Sequence, residues 1–480
     1  MAQRHGVHRR APWGAWALWA RTRQRRREPG GSASTFTPFG PDPTVGPSQR
    51  SYPHVSQETF VIPAEWARSG SQSADAAVDL LLRFARVAHR AGYPTADLEE
   101  RVRVLAGSFE LTAQVSATPT LVEISLGSLA QQSTYTLRVA PAAVDLAAIA
   151  RIDDLIRDVL DRRVEIPAAR AALDELAAGP QDRPWPVVLG AYALVAAALT
   201  PILGGGWREA AAAALVGLIV GAIALPLKRT PRTEPVIAPL AAIAASFCAG
   251  AFVWMGLESS PEVITLAGLL ALLPGMALTI GMRELATQHL QSGVANTANA
   301  LVQLLGLVVG VGIGHSLARS AFGVTHSVAP QIAFGGTHLL AALAAGAAFT
   351  VTLRAETRDV ATMCGATVLA LAVNDAARRL VGVEAGVFAS ALTVGVVGGV
   401  LGHVRRRSPL VFIVPGVLML VPGSAGLNSA MQLLSNNTVS GITTAFDTLV
   451  TAILIAYGLM IATVILPRRI SEFRPGTGEH

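Results

Sequence analysis

The chain has 480 residues, of which 51% are hydrophobic and 15% are charged, and its formal net charge is +6. The charged fraction is well below the roughly 25% usual for soluble domains, which excludes a wholly soluble protein. No basic stripe with interleaved aromatic side chains lies in a folded segment, so nucleic-acid binding is not predicted.

The N-terminal segment, residues 1–73, is rich in Arg, Pro, Gly and Ser. Its stretch Arg9–Arg27 has an apolar centre that is too short to span a bilayer, and it lacks the small-residue cleavage site of a signal peptide. We predict a disordered basic tail that lies on anionic lipid through its tryptophans. The alternative is plain disorder without lipid contact.

Residues 74–180 are predicted to form a compact α+β domain. Two helical patterns come first, the second of them starting with Thr95 as its cap, then three runs of alternating apolar and polar residues, then two more helical patterns. The domain holds one histidine, His89, and has neither a Gly-x-Ser-x-Gly elbow nor a Gly-rich phosphate loop. We therefore predict a structural or regulatory role rather than an enzyme, with no cofactor and no metal. Cys248 and Cys364 lie in apolar runs, which argues against a disulfide framework or a zinc site.

Long apolar runs follow from Trp185 onward, and each is close to the length that a bilayer requires. We predict ten spans: residues 186–204, 210–227, 235–256, 263–281, 294–314, 334–353, 360–376, 384–403, 409–427 and 442–466. With a cytoplasmic N-terminal domain, twelve Lys and Arg residues fall on the cytoplasmic side and four on the other. This bias predicts a multi-pass protein with both termini cytoplasmic, including the tail 468–480.

An internal repeat relates the two halves, residues 185–315 and 331–467. Pro274-Gly275 and Pro422-Gly423 are 148 residues apart, and each pair is followed at the same spacing by Ser-Gly. Five spans per half is an odd number, so the second half is predicted to enter the membrane inverted, as in many secondary transporters. Pro and Gly break or kink helices, and paired breaks in corresponding spans indicate a substrate site. The alternative is two ordinary proline kinks.

A polar stripe follows the first break. Asn296, Asn299 and Gln303 share one helix face, and a shift of 148 residues carries them onto Thr444, Asp447 and Thr451. Such groups are costly in hydrocarbon, so they are expected to face a cavity or another helix. Asp447 is an intramembrane carboxylate, which predicts a proton relay. The alternative is a structural hydrogen bond between helices.

Other polar residues lie close to the two breaks. Arg283 and Glu284 follow the first one and are predicted to form the inner mouth of a pathway, with an interfacial ion pair as the alternative. Asn428 follows the second break and is expected to offer hydrogen bonds to a small polar solute.

Three stretches together resemble the threonine/serine exporter family: "GYPTADLEERVRVLAGSFELTAQVSATPTLVEISL", "LLPGMALTIGMRELATQHLQSG" and "PLVFIVPGVLMLVPGSAGLNSAMQ". The resemblance covers about residues 74–466. It implies a polytopic α-helical membrane protein, with ten transmembrane helices as two inverted five-helix repeats after a small cytoplasmic α+β domain. It also implies export of threonine and serine from the cytoplasm, driven by the proton motive force.

On this basis we expect the substrate carboxylate at the helix N-termini after Pro274-Gly275 and Pro422-Gly423, where backbone NH groups are free. The ammonium and hydroxyl groups are expected to meet the polar side chains Asn296, Asn299, Thr444 and Thr451, while Asp447 carries the proton. The predicted partners are membrane lipid, an amino acid and protons, and the oligomeric state stays open. Two alternatives remain: export of another small metabolite such as a dicarboxylate, since some relatives are associated with succinate, and a membrane-anchored hydrolase.

Overall fold

The computed structural model describes residues 72–466, apart from 129–130, 140–143, 180–182, 229, 231, 258, 324–335, 421–422 and 435–437. Almost all of the predicted N-terminal tail, the C-terminal tail 468–480 and Pro422 lie outside the described residues.

Seven elements form residues 72–177 in the order expected from the sequence pattern. They are α1 Gln72–Arg90, α2 Thr95–Ser108, β1 Ala113–Thr118, β2 Leu121–Ser128, β3 Gln131–Arg138, α3 Leu146–Leu160 and α4 Ile166–Ala177. The strands pair antiparallel in the order β1-β2-β3. On β2, Val122, Ile124 and Leu126 are fully buried on one face. Period-two alternation therefore gives this small sheet one apolar face that packs on the helices.

The core of this unit continues into the helices that follow. Phe84 of α1 and Leu98 of α2 are fully buried, as helical spacing of apolar residues requires for a face that packs inward. Phe349 and Val414, from two of the later apolar helices, belong to the same cluster. The α+β unit is therefore docked on the apolar helices by a shared hydrophobic core.

Twelve further helices contain most of residues 185–465. They are α5 Trp185–Leu199, α6 Trp207–Leu227, α7 Glu234–Trp254, α8 Pro261–Leu269, α9 Gly275–Ala286, α10 Leu290–Phe322, α11 Gly336–Thr352, α12 Val360–Leu380, α13 Val383–Arg405, α14 Leu410–Leu420, α15 Gly423–Leu434 and α16 Thr438–Ile465.

The length and composition of these helices make the chain a multi-pass helical membrane protein. Within the described ranges, eight spans are long and apolar enough to cross a membrane, and nine if the bent segment that contains α8 and α9 is one span. The segment predicted as 334–353 is α11, which has 17 residues and falls short of that length. The count of ten spans stays a prediction.

The first Pro-Gly pair breaks its helix, as predicted. A 3-10 turn, Leu270–Leu272, ends α8, Leu273 is extended with ψ 130°, and α9 begins at Gly275. The two segments are bent by 60°. Because Pro274 has no NH to donate and its ring excludes a straight helix, the chain changes direction here.

After the break, the chain folds into a helical hairpin. α9 ends at Ala286, and Gln288 in the connecting turn has φ +66°. Glycines then allow α9 and α10 to lie close together, because a Cβ at Gly281 would sit 2.5 Å from Thr297 Oγ1. The segment after the first break therefore forms a hairpin with α10 rather than continuing straight.

The second half has equivalent elements at the repeat offset. α9 spans 275–286 and α15 spans 423–434, while α10 starts at residue 290 and α16 at residue 438. The packing partners correspond too: α10 packs on α7 as α16 packs on α13, and α9 packs on α16 as α15 packs on α10. Two pairs of helices therefore start 148 residues apart and have corresponding packing partners, while the inverted repeat stays a prediction.

The close contact of α9 and α10 predicts different effects for two alanine substitutions in the same helix. In Gly293→Ala, the new methyl group would lie 2.8 Å from Leu285 N and 2.9 Å from Gly281 O, whereas a Cβ at Gly312 meets nothing within 4 Å. Overpacking at Gly293 should cost about 1–3 kcal/mol. Thermal unfolding of the detergent-solubilised protein should show a lower apparent Tm for Gly293→Ala than for Gly312→Ala. Equal Tm values for the two variants would contradict this packing.

Candidate functional site

The start of α15 lies against the first break. Pro274 and Gly275 are buried, and a Cβ built on Gly423 would lie 3.1 Å from Leu273 Cβ and 3.7 Å from Gly275 Cα. The first residues of α9 and of α15 are therefore neighbours, while residues 421–422 lie outside the described residues and the second break stays a prediction. The start of α9 leaves its first NH groups without partners inside the helix, so backbone donors lie close to Gly423.

A side chain from α10 satisfies the backbone at the first break. Gln303 Nε2 donates to the carbonyl of Leu272, at 3.1 Å, where the 3-10 turn ends. Backbone groups that lose their helical partners at membrane depth need such a replacement. Gln303 of the polar stripe therefore stabilises the backbone at the break and already has a hydrogen-bond partner.

A buried carboxylate lies at the far end of α9. Glu284 is 2% exposed, and Asn296 Nδ2 donates to its Oε2 at 2.7 Å. Its other oxygen, Oε1, accepts the hydroxyl of Thr95 from α2 of the α+β unit. Two consecutive helices, α9 and α10, and the distant α2 therefore meet at one carboxylate.

The equivalent position in the second half is neutral. The offset of 148 residues carries Glu284 onto Gln432 and Asn296 onto Thr444, and Thr444 Oγ1 donates to Gln432 Oε1 at 3.3 Å. The same α-helical hairpin contact is thus made by a carboxylate in one half and by an amide in the other. The two halves share geometry but not charge.

The α+β unit grips the turn between α9 and α10. Arg283 donates to both carboxylate oxygens of Asp97, at 2.9 and 3.3 Å. His289 Nε2 lies 3.4 Å from Glu99 Oε2. The hydroxyl of Ser292 donates to the carbonyl of Ala117 at 2.6 Å, at the end of β1. Arg283 and Glu284, predicted as the mouth of a pathway, instead belong to a contact between the soluble unit and the first broken helix.

A cavity of about 500 Å³ opens beside this contact. α9 contributes Met276, Thr279, Ile280 and Arg283, while α14, α16 and the loops around α2 and α3 supply mostly apolar walls. It starts within one turn of the first break and reaches the Asp97–Arg283 pair.

The remaining predicted residues are divided between the inside and the outside of the helix bundle. Asn296, Gln303, Asn428, Thr444 and Thr451 are half-buried. Asn299 and Asp447, by contrast, are exposed.

The geometry of the helix explains this division. At about 100° per residue, a step of seven residues returns to within ~20° of the starting direction, whereas a step of three is off by ~60°. Asn299 is three residues beyond Asn296, and Asp447 is three beyond Thr444. The expectation that Asp447 faces an internal cavity is therefore wrong for this arrangement, because its position on α16 faces outward.

Sequence reasoning missed the share of the site that comes from the α+β unit. Thr95 was expected to cap α2, but Pro94 is the N-cap residue and the Thr95 hydroxyl bonds to Glu284. Asp97 and Glu99 read as ordinary helix-surface acids. The sequence offered one indication of this contact, the adjacent charges Arg283 and Glu284 at the end of an apolar segment. Such a pair is expected to need an acidic partner for the arginine and a hydrogen-bond donor for the glutamate.

Within the described part of the chain, no three His, Cys, Asp or Glu side chains cluster as a metal site requires. Cys248 and Cys364 are free thiols.

The Asp97–Arg283 pair predicts an energetic coupling between the α+β unit and α9. Its side chains are 32% and 22% exposed, so solvent screens the pair in part. A double-mutant cycle with Asp97→Ala and Arg283→Ala should give a coupling free energy of about 1 kcal/mol in unfolding measurements. The same cycle at Asp375 and Arg379, an exposed pair within α12, should give a smaller value. A coupling at Asp97–Arg283 no larger than at this control would contradict the docking contact.

Comparisons with known proteins identify the family of the chain. Residues 79–318 match the family described as "Putative threonine/serine exporter", and residues 337–465 match "Threonine/Serine exporter, ThrE". No solved structure matches the chain.

Curated relatives cover most of the chain. A "Probable threonine/serine exporter" of Mycobacterium tuberculosis is 26% identical over 436 residues, which are 84% of this chain and 78% of the relative. A "Threonine/serine exporter" of Corynebacterium glutamicum is 27% identical over 69% of this chain and 70% of its own length. A yeast relative, "Pheromone-regulated membrane protein 10" of Saccharomyces cerevisiae, is 26% identical over 49% of this chain and 31% of its own length.

Two relatives carry exporter names, in agreement with a transporter rather than an enzyme. The resemblance seen in the sequence is confirmed: the chain belongs to the threonine/serine exporter family.

Proposed function

We propose that this protein exports threonine and serine from the cytoplasm and is driven by the proton motive force. The observation that carries the proposal is the approach of α15 to the first broken helix, with Gly423 against Leu273 and Gly275, in a chain of the exporter family. Paired broken helices that meet are the usual place for a substrate in repeat-built secondary transporters.

The substrate would bind as a zwitterion between the two helix starts. Its carboxylate would accept backbone NH groups at the beginning of α9 and α15, where the helix dipoles also favour a negative group. Its ammonium and hydroxyl groups would meet the oxygens of half-buried side chains, for which Thr451 and Asn428 are candidates. Asn296 and Thr444 already have partners in Glu284 and Gln432, so substrate binding there would exchange hydrogen bonds.

The proposed topology has ten spans in two inverted halves, both termini in the cytoplasm and the protein in the plasma membrane. The arginine bias of the loops supports this orientation. The coincidence of element boundaries at an offset of 148 residues supports two equivalent halves that rock about the shared breaks. The Asp97–Arg283 contact would then lie on the cytoplasmic side.

The proposal further assigns the coupling proton to Glu284. This carboxylate is 2% exposed and joins α9, α10 and α2 through its two oxygens. Ionisable groups in such settings commonly act as proton relays. The equivalent Gln432 cannot titrate, so a single carrier per chain would serve both halves. Asp447 stays the alternative carrier.

Substrate choice is tested by export from cells or by uptake into inverted vesicles. Radiolabelled threonine or serine should accumulate in vesicles that hold the protein when a pH gradient is imposed, and unlabelled serine should compete while succinate does not. Accumulation that ignores the pH gradient would contradict the proton coupling. Competition by succinate but not by serine would favour a dicarboxylate exporter.

The proton site is tested by Glu284→Gln, beside Asp447→Asn and the exposed control Asp375→Asn. Gradient-driven accumulation should fall by about tenfold, or ~1.4 kcal/mol, in Glu284→Gln alone. Exchange of labelled for unlabelled threonine across a membrane without a gradient should persist, because exchange needs no net proton movement. Loss in Asp447→Asn with full accumulation in Glu284→Gln would move the coupling role to Asp447.

A further inference from the structure

A second cavity, remote from the two breaks, is lined by arginines. It lies between the 3-10 turn Thr357–Asp359, the beginning of α12, the end of α13 and the beginning of α14, and its volume is about 600 Å³. Arg358, Arg405 and Arg407 face it. Neither the pathway proposed above nor the contact with α2 uses these residues.

The charges around this cavity do not balance within it. Arg405 Nη1 donates to Thr362 Oγ1 at 3.2 Å, which is a neutral partner. Arg407 Nη1 lies 3.5 Å from Glu356 Oε2 and 3.7 Å from Asp359 Oδ1, so both contacts are long. Arg358 also pairs with Glu356. Arg151 pairs with Glu356 as well, so three guanidinium groups share this carboxylate, while Arg405 has no ion pair among the described contacts. An anion in the cavity would supply one.

Two buried polar atoms at the same place lack partners among the described residues. Ser408 is 3% exposed and its Oγ has no hydrogen-bond partner, and the same holds for Oδ2 of Asp359, a residue that is 7% exposed. Buried polar groups are nearly always satisfied, so such atoms at the wall of a cavity indicate that a ligand or water bonds to them. Ser408 can donate or accept, whereas an ionised Asp359 needs a donor.

We propose that this cavity binds a phosphate group that has a hydroxyl close to it. Guanidinium groups form paired hydrogen bonds with phosphate oxygens, which suits Arg405 and Arg407. The Ser408 hydroxyl would donate to a third oxygen, and a hydroxyl of the ligand would donate to Asp359. Phe412 and Val411 line the cavity as well, so part of the wall is apolar.

Two sources provide this chemistry. One is the headgroup of phosphatidylglycerol, whose phosphate is followed by a glycerol with free hydroxyls; its acyl chains would run along the apolar part of the wall. The other is inorganic phosphate, whose own P–OH group supplies the donor. Both ligands would use the same arginines and Ser408. Variants of these residues therefore test the site, and a comparison of the two ligands tests which one supplies the phosphate.

The experiment measures the apparent Tm of the full-length purified protein. Nanodiscs of phosphatidylcholine with and without phosphatidylglycerol form one arm, and inorganic phosphate against chloride at equal ionic strength forms the other. Wild type should gain several degrees with phosphatidylglycerol, with phosphate or with both, and the arm that responds identifies the source.

The variants separate the cavity from general surface charge. Arg405→Gln and Arg406→Gln remove the same charge from adjacent positions, but Arg406 does not line the cavity. Arg406→Gln should keep the Tm gain, and Arg405→Gln should lose most of it. Ser408→Ala should also reduce the gain, and it provides the test should Arg405→Gln fail to fold.

Three results would overturn the proposal. One is that neither ligand raises the Tm of wild type above its control arm. Another is that Arg405→Gln and Arg406→Gln respond equally, which would mean surface charge only. The third is that Ser408→Ala keeps the full gain.

Discussion

The structure depends on one constraint: a helix that is broken inside a membrane must find new partners for its freed backbone groups. At Pro274 the chain breaks, and the repair comes from the other helices. Gln303 reaches the carbonyl of Leu272, and the small residue Gly423 lets α15 approach the break. The position of α10, the approach of the two halves and the start of α9 all follow from this repair.

Local sequence chemistry predicted the parts of this arrangement that two or three adjacent residues decide. Pro274-Gly275 separates two helices, although Pro415-Gly416 lies inside α14, and the 148-residue offset is also the offset between the starts of α9 and α15 and of α10 and α16. The alternation of Val122, Ile124 and Leu126 likewise predicted a one-sided strand. The polar stripe was predicted only in part. The spacing i, i+3, i+7 places Asn296, Asn299 and Gln303 on one broad helix face, but it does not separate Gln303, which is half-buried, from Asn299, which is exposed.

The contacts of Glu284 could not be predicted from the sequence. Thr95 is 189 residues away along the chain, and its hydroxyl is equally typical of a helix cap. Which of several helix-surface acids on α2 meets Arg283 depends on how a whole unit docks, and that docking is set by the shared hydrophobic core rather than by a motif. The offset of 148 residues helps to predict only one of these contacts, the one between Glu284 and Asn296. At the corresponding positions, Thr444 donates to the uncharged amide of Gln432.

The polar contacts of the α+β unit with α9 have a consequence for the transport cycle. α9 is tied to Asp97 and Thr95, while the described contacts of α15 are with the membrane helices. Any rocking that moves α9 must either carry the α+β unit along or break these bonds. The same unit is also attached to the second half, because Phe349 and Val414 share its core and Leu146 N donates to the carbonyl of Leu353. The unit therefore links the two halves, and a change in their relative position would have to be accommodated at these contacts. Ligands or partners of the soluble unit would act as a bias on which side of the membrane the site faces.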